Sequence, residues 1–336
     1  AVQHRIDRLN ILRAVRGTTG IEGTEVSETE VDQILEAAAE THILPDYRKR
    51  AEQEVRNADD VLRYVARVVT ANPTQPLTEN LIRKIHELTT KEIDYENNEP
   101  GIYRNHGVHV ERYVPPASGD EVRQLMSEFV RWFNEDAPRG WPPVIRAVVA
   151  HFYVISIHPF GDGNGRTARG VESLLLYQAG INRLGFYSLA NYYYQNRAQY
   201  VAMLDHVRFE TNGNLTPFVR FALEGLVAEQ EAVHQQILAE VTVIAFRDYA
   251  REELAAHGKL GTKVGERLFH FLLGLPAEPV LVSQLRKGGH PLSELYYGVT
   301  EKTLSRDLNY LKDLNLIKIE DGRISANIDL MQSFIP

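Results

Sequence analysis

The sequence contains no cysteine among its 336 residues. Disulfide bridges, thiolate metal ligands and cysteine nucleophiles are therefore excluded, and this absence is typical of a reducing compartment. The sequence also lacks any run of about eighteen apolar residues and any recognisable signal peptide, so we expect no membrane association and a cytoplasmic location. The formal net charge of −8 argues against a chain that coats nucleic acid along its whole length.

What is present is the composition of an ordinary globular protein, with 43% hydrophobic and 24% charged residues. The length predicts two domains, or one large domain with an appendage. The spacing of apolar residues predicts a mainly α-helical chain. Among its helices are residues 4–16, which we expect to stop at Gly17, and the apolar segments 143–157 and 167–178.

The most informative stretch lies between the last two of these helices and reads HPFGDGNGRTAR from His158 to Arg169. Its glycines allow main-chain N–H groups to approach a ligand closely. A helix that begins there adds partial positive charge, so an anion site is predicted. Arg166 and Arg169 fall on one helix face, and their guanidinium groups suit phosphate oxygens.

Two further residues of this stretch carry chemistry. Asp162 stands just before the predicted anion site, where a carboxylate could hold Mg²⁺ against phosphates. His158 ends the preceding helix and could take a proton at neutral pH. The alternative interpretation is a glycine-rich turn with an incidental histidine and surface arginines. It does not explain why so many functional residue types occur in this order.

The stretch is similar to the signature of Fic-domain proteins, HPFx(D/E)GNGRxxR, and every specified position is met. The resemblance continues through residues 100–116, 196–200 and 217–221 and covers roughly residues 10–225. It implies a Fic-type helical core with a flap over residues 101–115. The glycines and prolines around the valines of that segment independently predict a β-hairpin.

The resemblance implies a reaction, the transfer of AMP from ATP to a Ser, Thr or Tyr hydroxyl of a target protein. Pyrophosphate is released, and self-modification is expected. The flap would bind the target by strand addition. The implied roles are general base for His158, Mg²⁺ ligand for Asp162, anion hole for Gly163, Asn164 and Gly165 with Asn164 orienting the α-phosphate, β-phosphate ligand for Arg166 and γ-phosphate ligand for Arg169. Gly165 stands where kinase-like relatives have lysine, which favours adenylyl transfer.

Aromatic and histidine side chains near this region are mostly interpreted as core. Tyr200 follows Arg197 as in the family pattern and is the candidate for an adenine contact, whereas the tyrosines at 192–194 fit packing better. His151 lies nearly two helical turns before His158. A buried supporting histidine is favoured there over a metal ligand.

A second motif occurs far upstream, at Thr18-Thr19-Gly20-Ile21-Glu22-Gly23. By composition alone it is a helix edge with a solvated glutamate. It resembles the family's inhibitory motif, (S/T)xxxE(G/N), which implies that Glu22 pairs with Arg169 and misaligns ATP. Thr18, one helical turn earlier, would help to position this segment.

The C-terminal part has a different character. We expect an N-terminal segment 1–45 that carries the inhibitory motif, a Fic core 46–225, a linking helix 226–258 and a small winged-helix-like α+β domain 259–336. Within the last, residues 300–312 resemble a recognition helix with Thr300 as N-cap, apolar residues at 304, 308 and 311, and a hairpin turn at Asp321-Gly322.

Contact with DNA would use Lys302, Ser305 and Arg306 of that helix. Ten Lys and Arg against nine Asp and Glu from residue 257 onward make a weak footprint for DNA. A protein-interaction role or a homodimer therefore stays open. Three functions remain in view: an auto-inhibited adenylyltransferase, a DNA-binding regulator with a Fic sensor domain, and an enzyme that removes AMP from targets with Glu22 aligning a water.

Overall fold

The structure is a computed structural model that describes residues 2–38, 41–181, 189–276, 278–286 and 290–333. It divides into two compact units, residues 1–233 and 234–336. The helices of the described chain up to this boundary, and the one that contains it, are α1 (Val2–Ile21), α2 (Glu28–Glu36), α3 (Lys49–Ala71), α4 (Glu79–Thr90), α5 (Gly119–Phe133), α6 (Asp136–Arg139), α7 (Pro143–Ile157), α8 (Asn164–Gln178), α9 (Leu189–Gln195), α10 (Arg197–Phe209) and α11 (Thr216–Ala256).

Helices α7 and α8 form the centre of the first unit. Ala147, Val148 and Leu174 are among their fully buried side chains, and the largest apolar cluster is built around them. The predicted bounds 143–157 are confirmed for α7. The glycine-rich stretch is the tight loop that joins α7 to α8, so both ends of the candidate site stand on the best-packed helices of the unit.

Helix α1 is longer than predicted, because Gly17 does not end it. A Cβ atom at Gly17 would lie 2.7 Å from main-chain atoms of Ala190, and one at Gly20 would lie 2.4 Å from the ring of Tyr194. These glycines permit close packing inside the helix rather than a stop. The chain leaves α1 at Gly23, which has φ = 93°, with the Thr24 N–H bonded to the Thr19 carbonyl.

Side-chain caps fix the starts of two other helices. Ser27 accepts from the Glu30 N–H while the Glu30 carboxylate accepts from the Ser27 N–H, a complete capping box at α2. Thr78 caps α4 by accepting from the Leu81 N–H.

The flap segment 101–115 has less strand structure than predicted. Its only ladder contact among the described residues is an antiparallel bridge between Val110 and Tyr113. Arg104 fixes the segment instead. Its buried guanidinium donates to the carbonyls of His158, His106 and Pro116 at 2.7, 2.5 and 2.8 Å. The flap is therefore a loop tied by one arginine to the α7–α8 connection.

The second unit contains α12 (Lys263–Gly274), β1 (Val280–Leu281), α13 (Val282–Arg286), α14 (Glu301–Asp313), β2 (Ile317–Glu320) and β3 (Arg323–Ala326). The strands form an antiparallel sheet in the order β1-β3-β2, with Val280 opposite Ile324 and Ile317 opposite Ala326. The hairpin turn at Asp321-Gly322 is confirmed. Strand β1 was not predicted, since two residues carry no periodic signal. The element order is that of the predicted winged helix.

Helix α14 places its residues as the sequence predicts. Leu304, Leu308 and Leu311 are buried in the core of this unit. Thr300 occupies the N-cap position, but its hydroxyl meets the Thr303 hydroxyl rather than a main-chain N–H. Lys302 is exposed, and its contact with DNA stays a prediction.

None of the described helices combines the length and the apolar character that crossing a bilayer requires. The proposed boundaries at residues 45, 225 and 258 remain predictions. The division between the two compact units falls at residues 233 and 234, within α11.

Candidate active site

The loop between α7 and α8 is closed by Asn164. Its side-chain oxygen accepts from the Phe160 N–H at 2.9 Å and its amide donates to the Phe160 carbonyl at 2.9 Å. Phe160 is fully buried and anchors the loop in the core. Because both ends of the Asn164 amide are engaged, its side chain shapes the loop. The main-chain N–H groups at the start of α8 are the donors left to meet an anion.

His158 stands at the end of α7 in a left-handed conformation, with φ = 51° and ψ = 59°. This geometry is uncommon for a residue with a side chain and is typical of functional positions. Its Nδ1 lies 3.2 Å from the Ile155 carbonyl, which can only accept, so Nδ1 carries the proton. Burial lowers the pKa of His158 to about 4. At neutral pH the ring is therefore uncharged, with Nε2 able to accept a proton.

His86 of α4 packs against the loop between α7 and α8, a role that the sequence did not indicate. Its ring stacks on Phe160 with centroids 3.6 Å apart and planes inclined by 3°. Nδ1 accepts from the Gly101 N–H at 2.9 Å, and Nε2 lies 3.0 Å from the Asp162 carbonyl, to which it donates. Burial lowers the pKa of His86 to about 4, so the neutral ring can serve both partners.

Asp162 presents a carboxylate on the open side of the loop. Its side chain is 45% exposed, and Oδ1 lies 3.2 Å from Nη2 of Arg166. Oδ1 also accepts from the Gly163 N–H. The described residues contain no cluster of three or more potential metal ligands. A single exposed carboxylate fits Mg²⁺, which usually takes its remaining ligands from phosphates and water.

Arg166 is buried among partners on three other elements. Its Nη1 donates to the Tyr95 hydroxyl at 2.7 Å and lies 3.3 Å from a carboxylate oxygen of Glu54. Burial alone would raise the pKa of Glu54, but the charge of Arg166 and several hydrogen bonds outweigh it and lower the pKa. Glu54 is therefore ionised and holds Arg166 beside the loop.

Arg169 meets the upstream motif directly. Its Nε donates to the Thr18 hydroxyl at 2.9 Å, and its Nη2 donates to the Thr18 carbonyl at 3.0 Å and to Oε1 of Glu22 at 2.5 Å. Burial alone would raise the pKa of Glu22, but the charges of Arg169 and Arg166 outweigh it and lower the pKa. The two residues whose pairing the resemblance implied are thus in contact as ions.

Glu22 also covers the predicted anion hole. A Cβ atom placed on Gly165 would lie 2.2 Å from Oε1 of Glu22 and 3.2 Å from Nη1 of Arg169. The carboxylate therefore rests against the bare α-carbon of Gly165 at the start of α8. Nη1 of Arg169 and Nε of Arg166 are buried and have no hydrogen-bond partner. Buried donors without partners are uncommon, so these two N–H groups are candidates to meet an anion.

Tyr200 is buried beside the site, close to Arg169 and Glu22, and offers no exposed ring face. The side chain is 2% exposed, its hydroxyl lies 2.9 Å from Nε2 of His151, and its ring stacks on Tyr193. His151 is itself fully buried, with Nδ1 3.1 Å from Glu172. The structure corrects the interpretation of Tyr200, which belongs to a buried polar cluster. His151 has the supporting position that was favoured for it.

Sequence reasoning missed the residues that orient this site from a distance, namely Glu54, His86, Tyr95 and Arg104. They come from α3, α4, the connection after α4 and the flap, and none belongs to a short motif. A buried charge or buried ring nitrogen has no local signature. Only the assembled fold brings these residues to the loop.

Comparisons with known proteins agree with this geometry. Residues 76–176 match the model of the Fic/DOC family. The chain is 31% identical over 218 residues to Protein adenylyltransferase Fic of Aedes aegypti, which covers 65% of this chain and 40% of that protein. It is 33% identical over 206 residues to the protein of the same description from Drosophila ananassae, covering 61% and 38%. The chain thus spans about 40% of the length of the curated relatives it matches.

Solved structures show the same fold. Fic-1 from C. elegans has a TM-score of 0.57 and 26% identity, covering 71% of this chain and 65% of that chain. A Fic family protein from Desulfovibrio desulfuricans has a TM-score of 0.57 and 20% identity, and covers 96% of this chain and 87% of that chain. The second likeness concerns the fold alone. The residues that match the Fic/DOC model include the whole α7–α8 loop.

Proposed function

We propose that this chain, which carries a domain of the Fic/DOC family, is an auto-inhibited protein adenylyltransferase. It transfers AMP from ATP to a hydroxyl side chain of a target protein and releases pyrophosphate. The observation that carries the proposal is the contact of Glu22 with Arg169 over Gly165. This contact puts a carboxylate where a triphosphate would bind, beside two arginine N–H donors that lack partners.

The proposed transfer is a single displacement. Nε2 of His158 takes the proton of the target hydroxyl, whose oxygen attacks the α-phosphorus. The bond to the bridging oxygen of the β-phosphate breaks, and that oxygen leaves with pyrophosphate. The neutral state of His158 at pH 7 suits a base, and its main-chain carbonyl is held by Arg104 at 2.7 Å.

The residues at the start of α8 would bind the phosphates of ATP. The main-chain N–H groups of Asn164 and Gly165 would face the α-phosphate, joined by that of Gly163 once it leaves Asp162, while Arg166 and Arg169 would hold the β- and γ-phosphates. Asp162 would hold Mg²⁺, which neutralises charge on the phosphates when bound. The side chain of Asn164 keeps the loop in this shape through its two bonds to Phe160.

Inhibition follows from competition for Arg169. Glu22 takes its Nη2, and Thr18 takes Nε and Nη2, so the guanidinium is bound on the side of the inhibitory segment. A triphosphate could enter only with its γ-phosphate displaced, which misaligns the α-phosphate for attack. Removing the Glu22 carboxylate takes away the negative charge beside Arg169 and leaves the two Thr18 contacts, His158 and the loop in place.

The test is transfer of label from ATP labelled in the α-phosphate to the purified protein. Glu22→Gly should raise self-adenylylation about tenfold or more, since the charge-assisted hydrogen bond from Nη2 of Arg169 is lost. Adding His158→Ala to Glu22→Gly should remove the label. Glu25→Gly is the matched control, because Glu25 is an exposed carboxylate three residues away. Equal labelling of Glu22→Gly and the unsubstituted chain would sink the inhibition proposal.

A second assay distinguishes transfer of AMP to a target from removal of AMP from it. We infer that the flap presents the target, because Arg104 ties it to the loop that carries His158. An adenylylated Glu22→Gly chain can be mixed with the unsubstituted chain in the absence of ATP. Release of AMP by the unsubstituted chain would favour the reverse reaction, with Glu22 aligning a water.

A further inference from the structure

A second carboxylate, Glu54 of α3, touches both the inhibitory segment and the phosphate site. Its Oε2 accepts a short hydrogen bond from the hydroxyl of Thr24, two residues after Glu22. Its Oε1 accepts from the Tyr95 hydroxyl at 2.8 Å and from Nε of Arg50 at 3.2 Å, and lies 3.3 Å from Nη1 of Arg166. The side chain is 8% exposed, so these contacts are poorly screened by solvent.

The contacts form one continuous chain of polar groups. Thr24 donates to Glu54, Tyr95 donates to Glu54, and Arg166 donates to Tyr95. Arg166 then reaches Asp162, the proposed Mg²⁺ ligand, at 3.2 Å. The end of the inhibitory segment is thus linked to the arginine and the carboxylate that would meet the β-phosphate, by a route that does not pass through Arg169.

We propose that Glu54 is a positioning residue with two separable tasks. This inference rests on the proposed function. Through Thr24 it latches the segment that carries Glu22, as a second anchor beside Arg169. Through Tyr95 and its own charge it holds Arg166 in the orientation that the β-phosphate requires. Activation therefore requires two contacts to break, the ion pair of Glu22 with Arg169 and the hydrogen bond of Thr24 with Glu54. Arg166 keeps its position.

The two tasks predict opposite effects for two conservative substitutions. Thr24→Val replaces only the hydroxyl with a methyl group, so the segment should open more often and self-adenylylation should rise by about tenfold or more, the worth of one hydrogen bond to a charged group. Thr24→Ser keeps the hydroxyl and should behave as the unsubstituted chain. Tyr95→Phe leaves the latch intact and loosens Arg166, so affinity for ATP should fall by about the same factor.

Readouts that do not depend on transfer make the test decisive. Hydrogen exchange of residues 16–24 reports the latch and should accelerate in Thr24→Val alone. Fluorescence titration with a labelled ATP analogue in the Glu22→Gly background reports Arg166, and its Kd should rise in Tyr95→Phe alone. Tyr47→Phe and Thr41→Val are the matched controls, because Tyr47 is 85% exposed and Thr41 is also exposed.

The outcomes distinguish this inference from the proposed function. If Glu22→Gly adenylylates itself but Thr24→Val neither speeds exchange nor raises labelling, Glu54 is no latch. If the Kd for the nucleotide is unchanged in Tyr95→Phe, Glu54 and Tyr95 do not position Arg166. If exchange and binding shift as expected while no variant transfers AMP, the positioning roles hold and the transferase proposal fails.

Discussion

Buried arginines in the two units of the chain differ in how completely their N–H groups are hydrogen-bonded. In the second unit, Arg267 of α12 donates twice to Asp307 of α14, at 2.9 and 2.7 Å, and Asp307 is nearly buried. In the first unit, Arg166 and Arg169 each keep a buried N–H group without a partner. Loss of either partner of the Arg267–Asp307 pair would leave a buried charge uncompensated, whereas the partnerless N–H groups of Arg166 and Arg169 are available to an anion. This contrast supports the proposal that the chemistry lies at the α7–α8 loop.

The largest expected effect concerns the base of this loop. In the Glu22→Gly background, His158→Ala should lower the rate of AMP transfer by at least about 100-fold, because a positioned general base contributes 10²–10⁴-fold. Its thermal unfolding should match that of the Glu22→Gly parent. Transfer rates and thermal melts of both variants check this. Residual transfer within tenfold of the parent would remove His158 from the reaction.

The second prediction concerns the completed pair. Asp307→Ala leaves the Arg267 charge partly buried without its partner, so the second unit should lose about 3 kcal/mol of stability. Chemical denaturation followed by a probe in residues 234–336 measures the loss. AMP transfer at low denaturant should not change. A fall in transfer without a loss of stability would mean that the pair serves the site instead.

The third prediction uses pH to compare His158 with an ordinary histidine. Burial lowers its pKa to about 4, so the ring stays neutral as pH falls from 7.5 to 5.5, and it is protonated only as pH falls through about 4. The rate of the Glu22→Gly variant should change less than about twofold over that range. A histidine with the ordinary pKa of about 6.5 would lose about tenfold. An acid limb near pH 6.5 would contradict the burial of the base.

The smallest effect is expected for Tyr200→Phe. The Tyr200 hydroxyl lies against His151 in the core, so its loss should change nucleotide affinity by less than about threefold, while stability falls by about 1 kcal/mol. A titration with labelled ATP analogue and a thermal melt report the two quantities. A large loss of affinity with no change in stability would restore the adenine contact that the sequence predicted.

Prediction from sequence succeeded where chemistry is concentrated and failed where it is dispersed. The loop from His158 to Arg169 is short, and its residue types indicated an anion site. The contact of Glu22 with Arg169 was implied by the resemblance of the Thr18–Glu22 segment to an inhibitory motif, whereas its composition alone indicated a solvated glutamate. Gly17 was misinterpreted because a glycine that ends a helix and one that admits a neighbouring helix look alike in sequence.

The orientation of the site depends on longer-range packing. Glu54 and Tyr95 are separated from Arg166 by 112 and 71 positions, and Arg104 supports His158 from 54 positions away. No local periodicity brings such residues together. The same holds for Tyr200, whose family position indicated a ligand contact until its burial beside His151 was seen.

The most direct test of the account is the intact mass of the chain after incubation with ATP and Mg²⁺. We expect one or more added adenylyl groups on the Glu22→Gly variant, little on the unsubstituted chain, and none on Glu22→Gly with His158→Ala. Equal modification of the unsubstituted chain and Glu22→Gly, or none on either, would contradict it.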